Sequence, residues 1–540
     1  MLETLKFGGG NWANKTDSTL AYSDQYGNYK PLPFDFTRAS SATRVNKQGL
    51  IESVNEGIAR IDYSDSTQGA LLLEPQRTNL ITQSEAFGNT YWTKNGATIQ
   101  GDPSTAGSEL VVNGDFATDL SGWNTLGSVS WDSGSAKFNG GTQDIYQEVL
   151  TQHKMYEITY DWTRTSGILE FYAGNLNQAN VVSSGSSGTE TFMATAYAGV
   201  GVPIPKAEFY STNFIGTIDN VSIKEVQGFT SPSADSPLNA FKFVEDSANT
   251  YHYCRVLNTA VSSGATVTLS MFSKKAENNY IALFEGKTAG TVFFNLNNGT
   301  IVSESGGATG TIELFSNNWY KISLTVTVPS TAANFEIYTS NDGTSLTYQG
   351  VNGNGTYIYG AQLEQASYPT SYIPTQGSTV TRVAELCSGA GNDQVINSTE
   401  GVLYAEISAL DNPTSQEIAL SVSEGQSGAN RLLIRMKTNG AIGIVLRVAN
   451  TTEAAIDSGV LNQLANHKVA VKWKVNDIAL WIDGVEVGTD NLANVFPVNT
   501  LDEFSFNQGN NSNQFYGNTK DVRVYNTALT DGELATLTTL

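Results

Sequence analysis

Between residues 106 and 227 the chain concentrates side chains suited to holding a polyhydroxylated ligand. Trp123, Trp131, Trp162, Tyr146 and Tyr172 supply aromatic faces, and Asn124, Asp144 and Gln147 supply amide and carboxylate groups. A sugar ring stacks its C–H-rich side on an aromatic face, while amides and carboxylates exchange hydrogen bonds with its hydroxyls. Aromatic residues in β-rich chains pack in cores more often than they form platforms, so position within the pattern decides between the two roles. Trp131 and Tyr172 stand beside polar loops. Together with Tyr146 and Asp144 they form the candidate ligand-binding set.

Other chemistries find no constellation. His153, His252 and His467 are far apart in sequence and have no nucleophile motif nearby. Cys254 and Cys387 have no CxxC or Cys/His spacing and read as two buried free thiols. The glycines at 8–10 and around 350–355 lack the strand-to-helix setting of a phosphate cradle and read as turns. No residue is assigned a catalytic role.

The elements that must position these side chains are strands. Charged residues make up only 15% of the 540, while apolar ones reach 40%, a balance suited to sandwiches with polar, uncharged loops. At this length the chain should divide into three or four domains. The net charge of −22 repels phosphate backbones and anionic membranes, which disfavours nucleic-acid partners. No run approaches the ~18 apolar residues of a membrane span, and the start MLETLKFGGG has no apolar signal-peptide core. No membrane insertion is expected.

Three strands with alternating apolar positions close three β-rich stretches: IDNVSIKEV at 218–226, IYGAQLE from 358, and TKDVRVYNTAL at 519–529. The first closes a unit that opens inside another. The segments AFKFVED, VTLSMFSKK, YIALFEG, TVFFNL, WYKISLTVTV and NFEIYTS continue the interrupted sandwich after the joint FTSPSADSPLN. The expected organisation is all-β, with serial antiparallel sandwiches of jelly-roll type, one nested in another. An irregular attachment segment spans 1–80, and the interrupted sandwich spans 81–105 and 228–372. The inserted jelly roll occupies 106–227, a connector 373–392, and a last sandwich 393–540. YGNYKPLPF at 26–34 reads as a loop, and DGELATLTTL as the one helix, with acids in its first turn.

The runs FTRASSATRVNKQGLIE, IDYSD, GALLLEPQRTNLI and YIYGAQLEQASYPTSYIPTQGSTVTR resemble modular fibre and appendage proteins of tailed bacteriophages, over most of 34–100 and 230–385. The inserted NGDFATDLSGW…IDNVSIKEV is similar to family 4/9/22 carbohydrate-binding jelly rolls. LWIDGVEVG and KDVRVYNTALTDGELATL resemble laminin-G, concanavalin A-like sandwiches. By the second resemblance Trp123 is a structural, buried residue. That resemblance also implies a structural calcium with oxygen ligands from Asp219 and Asp115, although Ala117 stands where the family carries an acid. By the third, hydrolytic relatives carry E-x-D-x-x-E on one strand. Here AEISALD has Glu406 but Ser408 at the middle position, which removes the paired carboxylates of retaining hydrolysis.

Taken together, the resemblances imply a non-enzymatic protein on the exterior of a phage virion, made in the host cytoplasm: a tail fibre, a head fibre or a receptor-binding subunit. Its expected partners are other virion proteins, copies of itself (a trimer is one form) and host-surface polysaccharide. A polysaccharide depolymerase and a purely architectural capsid or tail component are the alternatives.

Overall fold

The computed structural model describes residues 3–15, 19–22, 32–174, 178–197 and 205–540. Most of the loop expected at 26–34, up to residue 31, lies outside them. The fold is all-β, and it comprises two compact units: one of residues 1–78, 370–373 and 381–540, the other of 79–369 and 374–380. Among the described residues no helix is long and apolar enough to cross a membrane.

The first unit is a sandwich of two antiparallel sheets. One runs in the order Val485–Asp490, Ile478–Ile482, His467–Lys474, Glu400–Ala409, Gly517–Tyr525, Ala70–Leu73, Arg60–Asp62. The other runs Thr451–Val460, Ala441–Val448, Arg431–Met436, Ile418–Ser423, Glu503–Ser505. Period-2 alternation sends Leu403, Ala405, Ile407, Val469 and Val471 from the first sheet into a core shared with Leu432, Ile434, Ile442 and Ile444 from the second. The helix Asp531–Thr538 begins with a capping box. Thr530 Oγ1 accepts from the Glu533 N–H, and Glu533 accepts in return from the Thr530 N–H. Leu534 then packs the helix on the sheet's other face, in a cluster with Val402, Tyr404 and Trp481.

Residues 1–80, expected as a segment of their own, supply strands to this sandwich. Leu5–Gly8 pairs antiparallel along Gly517–Tyr525, as does Ala70–Leu73. Phe7, Phe34 and Phe36 enter the common core. The physical reason is the shortness of these strands, three or four residues each. Strands this short cannot bury Leu71–Leu73 without a larger sheet to join.

The same unit holds a buried ionic cluster. Glu385 accepts from Arg38 Nη1 at 2.6 Å and from Arg60 Nε at 2.8 Å, and Arg60 Nη2 also bonds its second oxygen. Glu74 pairs with Arg60 at 2.7 Å and Arg382 at 2.8 Å, and accepts from the Ser371 N–H and hydroxyl. These five charged side chains are at most 3% exposed. Burial alone would lift the Glu74 carboxyl, but the Arg382 and Arg60 guanidiniums, aided by Ser371, hold it well below the usual carboxylate range.

The second unit contains the nested pair. Its host sandwich has one sheet in the order Thr93–Asn95, Tyr253–Ala260, Ala332–Ser340, Tyr280–Glu285, Gly290–Asn295, Thr300–Ser305. The other runs Ala97–Gln100, Phe241–Glu245, Gly355–Glu364, Ala265–Lys275, Tyr320–Val328, Thr309–Leu314. The inserted module leaves and re-enters side by side: the Asp102 N–H donates to the Gln227 carbonyl at 2.9 Å and the Gly107 N–H to Glu225 at 2.9 Å. Its Met155 and Val226 join the host core. Within it, Asn124–Leu126, Thr142–Gln147, Ala207–Val226, Ala136–Asn139 and Ser130–Trp131 lie in that order. The long strand Met155–Ala173 pairs with Ala207–Val226 and with Gln178–Val182 and Ser187–Thr195. The closing strands identified in sequence lie in Ala207–Val226, Gly355–Glu364 and Gly517–Tyr525. Each is paired on both sides, so they are central strands.

Candidate functional site

In the inserted module the alternation of Thr142–Gln147 points Ile145 into the core and sets Asp144 and Tyr146 on the opposite face. The neighbouring strands repeat this pattern. Phe209 and Phe171 are core residues, and their flanking residues emerge on the same side as Tyr146. Registers then align two rows across the sheet. One row is Asn124, Tyr146, Glu208, Tyr172 and Gln178, and the other is Leu126, Asp144, Tyr210, Glu170 and Val181.

One face of Tyr146 is covered by a cation, and Tyr172 packs against a second ring. Lys206 Nζ sits 3.7 Å from the Tyr146 ring centroid, a cation–π contact. Tyr172 meets Tyr210 edge to face at 6.2 Å and 86°. The carboxyls form a second layer of function. Glu208 hydrogen-bonds Asp144, which requires a proton between them. Burial first, then that bond and the Asp144 charge, raise Glu208 above the ordinary carboxyl range, against the pull of Lys206. Asp144 is 7% exposed, and its Oδ1 has no partner. Burial and the charges of Glu170 and neighbouring groups raise the Tyr172 phenol, opposed by a bond from Gln178. Phenol, carboxyl, carboxylate and amide thus alternate along the face, an arrangement able to stack a sugar ring and to donate and accept at its hydroxyls.

Of the expected residues, the fold brings Tyr146, Tyr172 and Asp144 to this face. Trp131 lies elsewhere. It pairs across from Ala136, which in turn pairs with Ile218, both in the core. Its indole N–H donates to the Phe116 carbonyl at 2.7 Å, so the ring lids the core edge while 44% exposed. Trp123 is buried and donates to the Asn113 carbonyl, and Trp162 is buried against Glu190. Gln147 turns inward to bond the Val112 backbone. Lys206, Glu208, Tyr210 and Glu170 were missed. The signal for Lys206, Glu208 and Tyr210 was the alternation KAEFYST at 206–212, which extends the closing strand N-terminally, and that for Glu170 was the alternation ILEFYAG at 168–174.

Asp219 lies opposite Asp161, and its carboxyl is raised by burial and by the charges of Asp161 and Asp115. Asp161 is itself bonded by Thr189 and Asn220. Among the described residues no group of three or more His, Cys, Asp or Glu side chains could hold a metal. Asp115 is exposed.

A separate pocket of about 450 Å³ lies in the same unit, lined by Gln83, Glu85, His153, Thr195, Asn239 and Phe241. It holds none of the expected residues. Glu85 there accepts from Asn239 at 2.5 Å and Tyr359 at 3.0 Å. In the first unit, Glu406 stands across the sheet from Asp521, a carboxylate neighbour that strand spacing in the sequence did not reveal. Asp521 is gripped by the Arg523 guanidinium through Nε at 2.9 Å and through Nη2. Cys254 and Cys387 are buried free thiols.

Residues 392–535 match the concanavalin A-like lectin/glucanases superfamily, in its laminin-G form. No curated protein matches the chain. Solved structures with similarity include the Ruminococcus gnavus IT-sialidase CBM40, at 20% identity over 26% of this chain and 84% of that one, with a TM-score of 0.24. The same module bound to α2,3 sialyllactose aligns at 21% identity over 28% and 93%, TM-score 0.24. The tandem CBM22-1–CBM22-2 domain of Paenibacillus barcinonensis Xyn10C aligns at 15% identity over 49% and 100%, TM-score 0.19.

Proposed function

We propose that this chain is a non-enzymatic glycan-binding appendage of a bacteriophage virion, with the two-row face of the inserted jelly roll as its principal sugar platform. The carrying observation is the row Tyr146–Glu208–Tyr172, flanked by Asp144, Tyr210 and Lys206. The concanavalin A-like match of residues 392–535 supports a lectin-type chain. On this reading the protein is made in the host cytoplasm and mounted outside the particle on other virion proteins. It works in several copies, such as a trimer, so that shallow sites gain from avidity.

Binding fits better than hydrolysis. Asp144 and Glu208 are in hydrogen-bond contact, closer than the ~5–9.5 Å at which glycosidase carboxyls act. A glycan array probed with the wild type, Tyr146→Ala and Tyr172→Ala tests the site. Each substitution should cost roughly tenfold in affinity, from about 1.5 kcal/mol of lost aromatic contact. Array silence, or binding indifferent to both changes, would overturn the assignment. Release of reducing ends from host polysaccharide would favour a depolymerase instead, and absence of the chain from purified particles would remove the virion role. Calcium at Asp115 and Asp219 enters as a further test. Melting raised by Ca²⁺ in the wild type but not in Asp219→Asn would place the ion there, and an unchanged melt would exclude it.

A further inference from the structure

On the face of the five-stranded sheet turned away from the core, Arg431 stands directly opposite Arg447 in the antiparallel register. Like charges facing each other across a ladder destabilise it. The chain has a net charge of −22 from which to neutralise them, yet the carboxylates around this face are engaged elsewhere. Glu417 and Asp457 bond Arg435 at 3.2 and 3.3 Å, and Asp457 also holds Lys437. Glu424 accepts from Asn430, Glu503 from Gln426 and Ser505, and Glu453 from Asn494.

Arg431 is 9% exposed. It donates from Nη1 to the Gln508 carbonyl at 2.8 Å, and its Nε is buried without a partner. Burial, then the Arg447 charge, lower its guanidinium, and Glu417 acts on it only through its field. Arg447 is half-buried, its guanidinium makes no hydrogen bond or ion pair among the described residues, and its Nε is likewise sequestered. Gly428, at φ +68°, adjoins the pair. A Cβ there would come within 3.2 Å of Arg431 Nη1 and 3.1 Å of Asn510, so glycine leaves the guanidinium uncrowded.

We propose that Arg431 and Arg447 form a seat for a single anionic substituent carried by a glycan, distinct from the stacking face of the inserted module. With both Nε atoms buried and Arg431 Nη1 held by Gln508, Arg431 Nη2 and the two Nη atoms of Arg447 are the charged N–H donors left for a planar or tetrahedral oxyanion. The overall negative charge disfavours a polyanion laid along the protein, so the occupant is one isolated carboxylate, sulfate or phosphate group on an otherwise neutral saccharide.

The test is calorimetry of the full chain with otherwise matched oligosaccharides bearing one uronate, one sulfate ester, one phosphate ester, or no charge. At least one anionic ligand should bind more tightly than the neutral one, weakening as salt rises, and the responding arm identifies the anion. Arg447→Gln should reduce that binding roughly tenfold or more, the worth of one charge-assisted hydrogen bond. Arg447→Lys should fall between, because it keeps the charge without the fork. Since Arg447 is half-exposed and unpaired, its replacement should leave the melting temperature unchanged or raised. Tyr146→Ala and Tyr172→Ala should leave the anionic increment intact, which separates this site from the proposed sugar platform. Equal binding of all four ligands, or an increment untouched by Arg447→Gln, would overturn the proposal.

Discussion

Replacing Glu385 by Gln should be among the most damaging single changes in the first unit. The carboxylate accepts four hydrogen bonds, from Arg38 Nη1, Arg60 Nε, Arg60 Nη2 and the Glu74 N–H. The cluster holds three guanidiniums (Arg38, Arg60, Arg382) against two carboxylates (Glu74, Glu385), a net +1; without the Glu385 charge it becomes +2 in a dry interior. The amide –NH₂ of Gln would also face N–H donors. Breaking a buried pair from one side typically costs about 3–5 kcal/mol, and at roughly 2–4 °C per kcal/mol for a domain of this size the transition should fall by roughly 6–20 °C. Differential scanning calorimetry of the whole chain reads this out, with Glu52→Gln as control. Glu52 pairs with Arg44 while both are 26% exposed, so that change should cost about 0–1 kcal/mol. Equal, small shifts for the two variants would refute the view that the cluster is dry and mutually dependent. The pH sign follows from Glu74. Its folded value is depressed, so its contribution is complete above the ordinary carboxyl range and is lost only as pH falls well below it.

The Glu208 carboxyl behaves oppositely. Its folded value is raised, so the unfolded state sheds its proton first and the inserted module loses stability as pH climbs from the ordinary range through the raised value. Glu208→Gln should flatten that slope and raise the melting temperature at neutral pH, and a wild-type melt independent of pH from 4 to 7 would contradict it. Cys254, which burial pushes up to about 12, and Cys387, also raised by burial, should both resist thiol reagents in the native protein and react only on unfolding. Stoichiometric labelling under native conditions would count against their burial.

The strands were legible because period 2 survives in a single sequence wherever one face is buried. Phe209 and Phe171 sit in the core while Glu208, Tyr210 and Tyr172 emerge. Asp144 and Tyr146 reached the outward face for the same reason. Trp131 did not, because a two-residue edge strand has no alternation of its own to read, and only its pairing with Ala136 reveals the side on which it lies. The Arg431–Arg447 pair escaped notice because sixteen residues and a chain reversal separate its members, and cross-strand register cannot be read from spacing. The ionic cluster is the extreme case. Arg60 and Glu385 meet across 325 residues, and each alone looks like an ordinary surface charge.

That cluster also explains what the most recognisable sequence runs encode. Arg38 lies in FTRASSATR, Arg60 just before IDYSD, Glu74 in LLLEPQR, Ser371 in PTSYIPT, and Arg382 and Glu385 in TRVAE. All six converge on one buried network that ties the residues returning after the nested pair to the strands that precede it. A buried charge network tolerates little change in any member, because each loss strands a partner. The rows around Tyr146 and Tyr210 face outward, where substitution is cheap. Those runs therefore specify how the chain is held together, and on the proposed function the preference of the inserted sheet for its sugar resides in outward side chains on which the fold makes few demands. On this reading a change of the sugar held by the inserted sheet should require substitutions only on its outward rows, and exchanging residues 106–227 should transfer that preference while leaving both the anionic increment at Arg431–Arg447 and the first unit's melting transition in place.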